Sequence, residues 1–560
     1  MNQFEQNNAF IQLPENARAR SLLKSMGYDS KDLKRPRIGV ANTWGETSPG
    51  HVHLRGVADA VKAGIWQAGG TPFEFNSAAQ CPMAVGEHGM RYDLPTRDII
   101  AAEVEAITHI SMLDALVMVS SCDKNVPAHL LAAARLDIPV IFVPGGPMDS
   151  GHHHGKASVT STLDVECYAF GVGKPGISVE EIKEMEDQVC PGAGSCALLG
   201  TANTMQGLVE ALGLTLPGGA TAAATSARRL WLARESGRRI VDLVNRGITS
   251  SQIITKKAVA NAIKVLHALG GSTNAIVHLL ALVYEMHWEE EIDLELFEKL
   301  SSQIPCITNV VPGGIYTMKD FEEAGGIQQV MKQIEGNLAL ESLTVTGNSV
   351  GENLASVDAR DDSDVIRPVG RPIATESLVI LRGSLARSAV VRTPVIPRQM
   401  FRHRGPARVF DSQEQALAAL RDRKIKAGDV LVLRYEGPRG APGFNEVFKV
   451  IGYLNALGLE TKCALVTDGR ISGFAKGPYI CQVSPEAAEG GALAVVEEGD
   501  QIEIDIPKRK IDLILPEQEI QSRIASWKSP APRVREGILT AYAKLANPAE
   551  LGGGLNLRLP

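Results

Sequence analysis

Between residues 36 and 146, short β-rich runs alternate with helix-length amphipathic runs, and this alternation restricts the fold more than any other feature. RIGVAN, PFEFN, ALVMVS and PVIFVPGG read as strands. LRGVADAVKAGIWQAG, TRDIIAAEVEAITH and PAHLLAAARL, which fall between them, read as helices. Strands joined through helices run parallel, and a parallel sheet is covered on both faces, so an α/β domain is expected. A long helical stretch follows from about residue 177 to 340, opening at SVEEIKEMEDQV with a Ser N-cap and first-turn glutamates. The polar, Pro-containing segment SVDARDDSDVIRPVGRPI then marks a boundary. Beyond it, SLVILRGSLARSAVVRT, DVLVLRYEG, CALVTDG, QIEIDI and KIDLIL predict a smaller β-rich, barrel-like domain with one or two helices. The expected organisation is an α/β domain with a helical extension over 1–360 and the barrel-like domain over 361–560.

A chain of 560 residues is too long for one hydrophobic core, which agrees with two domains. Its net charge of −7 offers no basic face, which argues against a nucleic-acid partner. The start MNQFEQNNAF lacks the basic and apolar regions of a secretory signal, and runs such as AIVHLLALV are too short to span a bilayer. The expected location is therefore cytoplasmic, with no membrane partner. Eight cysteines in so long a chain do not make a disulfide scaffold; in a reducing compartment, clustered cysteines point to metal binding or catalysis.

Four loops could carry chemistry. Cys122, Asp123 and Lys124 follow the strand ALVMVS and precede a helix, the end of an α/β sheet where ligands bind and where a thiolate is stabilised. A buried thiol beside a surface Asp–Lys pair is the plain alternative. Cys196 lies in CPGAGSCALLGTANTM, after a Gly-rich turn and before a helix; its C-x5-C spacing is not that of a zinc knuckle, and a loop kept small for packing explains it equally. Glu436 in RYEGPRGAPGF and Asp468, Arg470 and Ser472 in LVTDGRISG end strands of the second domain. Each could simply cap its loop, yet together the four loops could enclose one inter-domain cleft. Three consecutive histidines, His152 to His154, cannot all face one ion from an extended loop. GGSTNA, from Gly270, reads as a ligand-binding turn or as a tight helix entry.

In this order, CDKNVPAHLLAAARLDIP, GGPM, CPGAGSCALLGTANTM, GGSTNA, RYEGPRGAPG, LVTDGRISG and VSPEAAEGG resemble the dihydroxy-acid and sugar-acid dehydratase family, which includes 6-phosphogluconate dehydratase. The resemblance spans nearly the whole chain. It implies a hydro-lyase that removes water from a 2,3-dihydroxy carboxylic acid to give a 2-keto acid. It also implies an iron–sulfur cluster on three cysteines, a 2Fe–2S rather than a 4Fe–4S cluster, and a neighbouring Mg²⁺. Carried over by position, Cys122 and Cys196 hold the cluster; Asp123, Glu436 and Lys124, the last as a carbamate, hold Mg²⁺; Ser472 is the base. Thiolates suit iron–sulfur clusters and anionic oxygens suit Mg²⁺, whereas a lysine ammonium cannot ligate a cation. A homodimer or homotetramer is the implied assembly.

Two positions depart from the family pattern. Gly50, in GETSPGHVHL, stands where the family has its first cluster cysteine, and Cys81, in AAQCPMAVGEHGMRYDLP, stands where it has an Mg²⁺-binding aspartate. Cys81 is accordingly expected to be the third cluster ligand, with Cys190 as its rival, while His51 and His53 read as ordinary loop residues. The missing first cysteine and the presence of GGPM lean the substrate toward aldonic sugar acids over branched-chain dihydroxy acids. The alternative is a cluster-less relative that binds a sugar acid or a partner without turnover.

Overall fold

The computed structural model describes residues 3–82, 87–173 and 177–558. Strands β1 (Arg37–Asn42), β2 (Thr71–Asn76), β3 (Ala115–Ser120) and β4 (Val140–Pro144) form a parallel sheet in the order β2-β1-β3-β4. β1, β3 and β4 are buried along their whole length, as strands covered on both faces must be. The helix Leu54–Gln67 buries Leu54, Val57, Ala58, Val61 and Ile65, one apolar stripe at helical spacing. Further helices run from Thr160 to Leu354, among them Val179–Gln188, whose N-cap Ser178 accepts a bond from the Glu181 N–H. A small hairpin, β5 (Gly151–His153) with β6 (Lys156–Ser158), precedes them and had no signal in the sequence.

The second sheet has eight strands in the order β14-β13-β9-β10-β11-β12-β8-β7. These are β7 (Leu378–Leu381), β8 (Ser388–Arg392), β9 (Arg402–Phe410), β10 (Val430–Leu433), β11 (Ala464–Thr467), β12 (Tyr479–Ser484), β13 (Gln501–Asp505) and β14 (Lys510–Leu513). Its two edges meet where the Arg382 N–H donates to the Arg509 carbonyl (3.0 Å) and the Ile511 N–H to the Arg382 carbonyl (3.1 Å), so the sheet curls into a nearly closed barrel. The sequence patterns missed β9 and β12. In β9, RHRGPARVF, the burial is too patchy to leave an alternating signal. Four α-helices accompany the barrel among the described residues, more than the one or two expected. No helix among them is long and apolar enough to cross a membrane.

Arg392, at the end of β8, ties the two domains together. It is fully buried. Its Nε donates to the Gly270 carbonyl (2.8 Å), Nη1 to that of Gly473 (2.5 Å) and Nη2 to that of Leu199 (3.4 Å). One guanidinium thus pins the GGSTNA turn, the LVTDGRISG loop and the ALLG segment that follows CPGAGSC to one another. Replacing it by Met leaves three buried carbonyls without donors, at about 1–3 kcal/mol each. Arg392→Met should therefore lower the urea midpoint sharply; an unchanged midpoint would show that the three loops do not rely on this side chain.

Candidate active site

The four parallel strands β1 to β4 all deliver their carboxyl ends to one side of the sheet, where the loops 43–53, 77–82, 121–124 and 145–148 cluster. The loops after β10 and β11 come from the barrel to meet them. Cys122 lies on the loop after β3, 4% exposed, with its Sγ 3.6 Å from Ser48 Oγ. The thiol of Cys81, on the loop after β2, lies beside Cys122 and Ser48. The Cys122 thiol, burial and the charge of Asp123 hold the Cys81 thiol far above the ordinary range. Burial, Cys81 and Asp123 do the same to Cys196. The three thiols therefore border one pocket, where a bound metal would drive the protons off Cys81 and Cys196. Cys190, the rival, is exposed.

Position 50 borders the same pocket. A Cβ built on Gly50 would stand 2.3 Å from Cys122 Sγ and 3.5 Å from Ser121 Oγ. The Cys122 thiol leans into space that a residue-50 side chain would occupy. Gly194 N–H donates to the Pro49 carbonyl (2.9 Å), which closes the CPGAGSC loop onto this turn. His51 is more than a loop residue. Its Nε2 accepts from the Cys122 N–H (3.4 Å) and its Nδ1 meets Thr43 Oγ1 at 2.8 Å. Burial lowers its pKa to about 4, which keeps the ring neutral and able to accept.

Beside the thiols lies a buried ion-pair network. Lys124 Nζ is 2.9 Å from Asp93 Oδ2 and 3.7 Å from Asp123 Oδ2. It lies at ion-pair distance from Asp93 but makes no well-aligned hydrogen bond. Arg470 reaches across from the barrel: Nη2 meets Asp93 Oδ2 at 2.7 Å and Nη1 meets Glu446 Oε2 at 2.8 Å. Asn274, from the GGSTNA turn, donates to the same Glu446 oxygen at 2.7 Å. Burial raises the Asp123 pKa to about 6; Lys124 opposes the rise, and Glu446 and Asp93 add to it. For Asp93, burial is outweighed by Lys124 and Arg470, which hold its carboxyl below the usual range.

Glu436 does not share this network. Its Oε1 accepts from the Gln413 N–H (3.0 Å) and its Oε2 from Asn445 Nδ2 (2.7 Å), with Arg533 Nη1 at 3.6 Å. The carboxylate that joins Asp123 is Glu446, ten residues on. The loop between them begins and ends on left-handed residues, Tyr435 (φ 63°) and Phe444 (φ 57°). Asp468 is a loop cap, accepting from the N–H groups of Tyr435, Glu436 and Ala487 at 2.9–3.1 Å. Ser472 is 4% exposed, and the loop carrying it is seated on the first domain. A Cβ on Gly473 would come within 2.7 Å of the Thr201 nitrogen and 2.8 Å of Ser272 Cβ. Apart from this cleft, two of the three consecutive histidines do converge. His153 and His154 both approach Glu181 Oε1, at 3.5 and 3.3 Å, because a left-handed His154 (φ 48°) breaks the strand alternation.

Comparison with known proteins identifies the family. The dihydroxy-acid/6-phosphogluconate dehydratase N-terminal model matches residues 35–353, and its C-terminal counterpart matches 364–553. The chain belongs to this dehydratase family. It is 48% identical over 547 residues to a dihydroxy-acid dehydratase of Ignicoccus hospitalis, covering 97% of this chain and 98% of the relative. It is 45% identical over 548 residues to that of Methanothrix thermoacetophila, covering 97% and 98%. It is 46% identical over 535 residues to that of Caldanaerobacter subterraneus, covering 95% of each. The dehydratase is thus a hydro-lyase of 2,3-dihydroxy acids, as the motifs led one to expect.

Burial raises the Glu436 pKa to about 7 from an ordinary 4.5. Between those values the folded dehydratase binds this proton more tightly than the unfolded chain, so its stability falls as pH rises through the window. Glu436→Gln removes that contribution. The melting temperature of the variant relative to the parent should climb from about pH 4.5 to 7 and then level; a difference constant over the range would contradict the buried, protonated carboxyl.

Proposed function

We propose that the cleft binds an iron–sulfur cluster through Cys81, Cys122 and Cys196 and an Mg²⁺ ion through Asp123, Lys124 as a carbamate and Glu446, with Glu446 taking the role expected of Glu436. The observation that carries this reading is the meeting of three thiols with a buried Lys–carboxylate network at the strand ends of both domains. The donor set fits. Soft sulfur and hard oxygen stand side by side, sorted as an iron–sulfur cluster and Mg²⁺ require. The fully buried Lys124 Nζ, close to Asp93 yet without a well-aligned hydrogen bond, fits modification: as the free amine it would add to CO₂ with loss of a proton, gaining the anionic oxygens an ammonium lacks. When bound, the two groups would supply Lewis acidity toward the leaving hydroxyl and the substrate carboxylate.

The residues of the chain do the rest. Ser472, held in a loop that Arg392 and Gly473 fix against the first domain, takes the C2 proton as its alkoxide and becomes the hydroxyl. The C3 hydroxide departs, and the resulting enol tautomerises to the 2-keto acid, so that one water is lost. Arg470 and Asn274 both donate to Glu446 Oε2 and keep the carboxylate from turning away. Met148, Val159, Ala197 and Leu198 form an apolar cluster against which Cys196, Val311 and Phe474 pack. That wall beside the serine loop supports an alkyl substituent on the substrate, a branched-chain dihydroxy acid over the aldonic sugar acid to which the sequence leaned. The full-length relatives carry the name of dihydroxy-acid dehydratase, which supports turnover over mere binding. A homodimer or homotetramer belongs to the same reading.

Ser472→Ala should cut kcat by about 10²–10⁴-fold while iron, sulfide and the visible spectrum stay as in the parent; parental activity would remove Ser472 from the mechanism. A panel of alkyl-substituted 2,3-dihydroxy acids and aldonic acids, scored for 2-keto acid, should give the higher kcat/KM to the alkyl compounds. The reverse order would assign the apolar wall another role.

A further inference from the structure

We propose that Asp93 is a ligand of the divalent cation, supplying the carboxylate that position 81 no longer offers. This rests on the reading of the cleft given above and goes beyond it, because Asp93 lies in none of the motifs that carry the family resemblance. Asp93 opens the helix Asp93–Ile110, where an acidic residue would ordinarily do no more than favour the helix dipole. It is instead 3% exposed, with its Oδ2 2.9 Å from Lys124 Nζ and 2.7 Å from Arg470 Nη2. Its Oδ1 accepts from Gln80 Nε2 at 2.6 Å. Gln80 is the neighbour of Cys81, so the loop that has turned its own side chain toward the thiols also holds Asp93 in place.

Charge completes the argument. Asp93, Asp123 and Glu446 are three carboxylates facing two cations, Lys124 and Arg470. The Lys124 ammonium lies between Asp93 and Asp123. Converted to a carbamate, it becomes a fourth anion with only Arg470 opposing, and buried charge in such excess requires a metal. Mg²⁺ needs several oxygen ligands in near-octahedral order, and Asp93 is the carboxylate nearest the Lys124 nitrogen. Relative to the family pattern, the thiolate has moved from position 50 to 81, and the carboxylate from 81 to 93.

Mn²⁺ binding to the anaerobically purified full-length protein, measured by titration calorimetry and by the Mn²⁺ electron paramagnetic resonance signal, tests this. Asp93→Asn should weaken Mn²⁺ at least tenfold while iron and sulfide contents stay parental. Parental Mn²⁺ affinity in that variant would overturn the proposal and leave Asp93 as a counter-ion. Should Asp93→Asn fail to fold, Asp93→Glu decides: its longer side chain must alter the Mn²⁺ signal if residue 93 is a ligand, and a parental signal would overturn the proposal. An unmodified protein that binds no Mn²⁺ at all would instead refute the cation site itself.

Discussion

The structure depends on one buried guanidinium contact, that of Arg470 with Asp93 and Glu446. Arg470 comes from the barrel and Asp93 from the parallel-sheet domain, and both are almost wholly hidden from water. A charge in that setting is tolerable only when paired with good geometry. Arg470 meets the condition on every side: Nε donates to the Phe444 carbonyl (2.8 Å), Nη1 to Glu446 and Asn274, and Nη2 to Asp93. Removing Asp93 would leave Arg470 paired only within its own domain, with no carboxylate to meet across the boundary. The interaction therefore fixes how the barrel sits on the sheet, and with it the distance between the cysteine loops and the serine loop.

Arg392 makes a second crossing of the same kind, with carbonyls in place of carboxylates as acceptors. The two arginines have different consequences. Arg392 locks backbone loops and leaves the charge of the cleft to others. Arg470 sets that charge, because it neutralises part of a carboxylate cluster that would otherwise repel itself. A pocket built in this way is rigid where the backbone holds the site loops, and rich in carboxylates where the proposed cation would enter.

Much of this was legible in the sequence. The alternation of strands and helices foretold the parallel sheet, and Cys122, Asp123 and Lys124 stood out because a thiol and two charges at a strand end need a reason. Other parts left no signal. Asp93 looks like any acidic residue opening a helix, and only the packing of Lys124 and Arg470 against it gives it a role. Glu446 lies behind a ten-residue Gly- and Pro-rich loop whose path depends on the left-handed Tyr435 and Phe444. Glu436, next to the strand, took its place in the sequence reading although Gln413 and Asn445 already occupy its oxygens. Strand β9 has burial set by its neighbours on both sides, and no period-2 pattern survives. The paired histidines required a backbone reversal at His154 that periodicity cannot foresee.

The central claim is that one cleft gathers its thiolates from positions 81, 122 and 196, with position 50 contributing none. Crystals of the protein prepared without oxygen, measured on either side of the iron absorption edge, test it most directly. An anomalous peak should lie among the Cys81, Cys122 and Cys196 sulfurs, with continuous density from iron to Cys81. A peak bound by Cys122 and Cys196 while Cys81 points away, or no iron peak in the cleft, would contradict it.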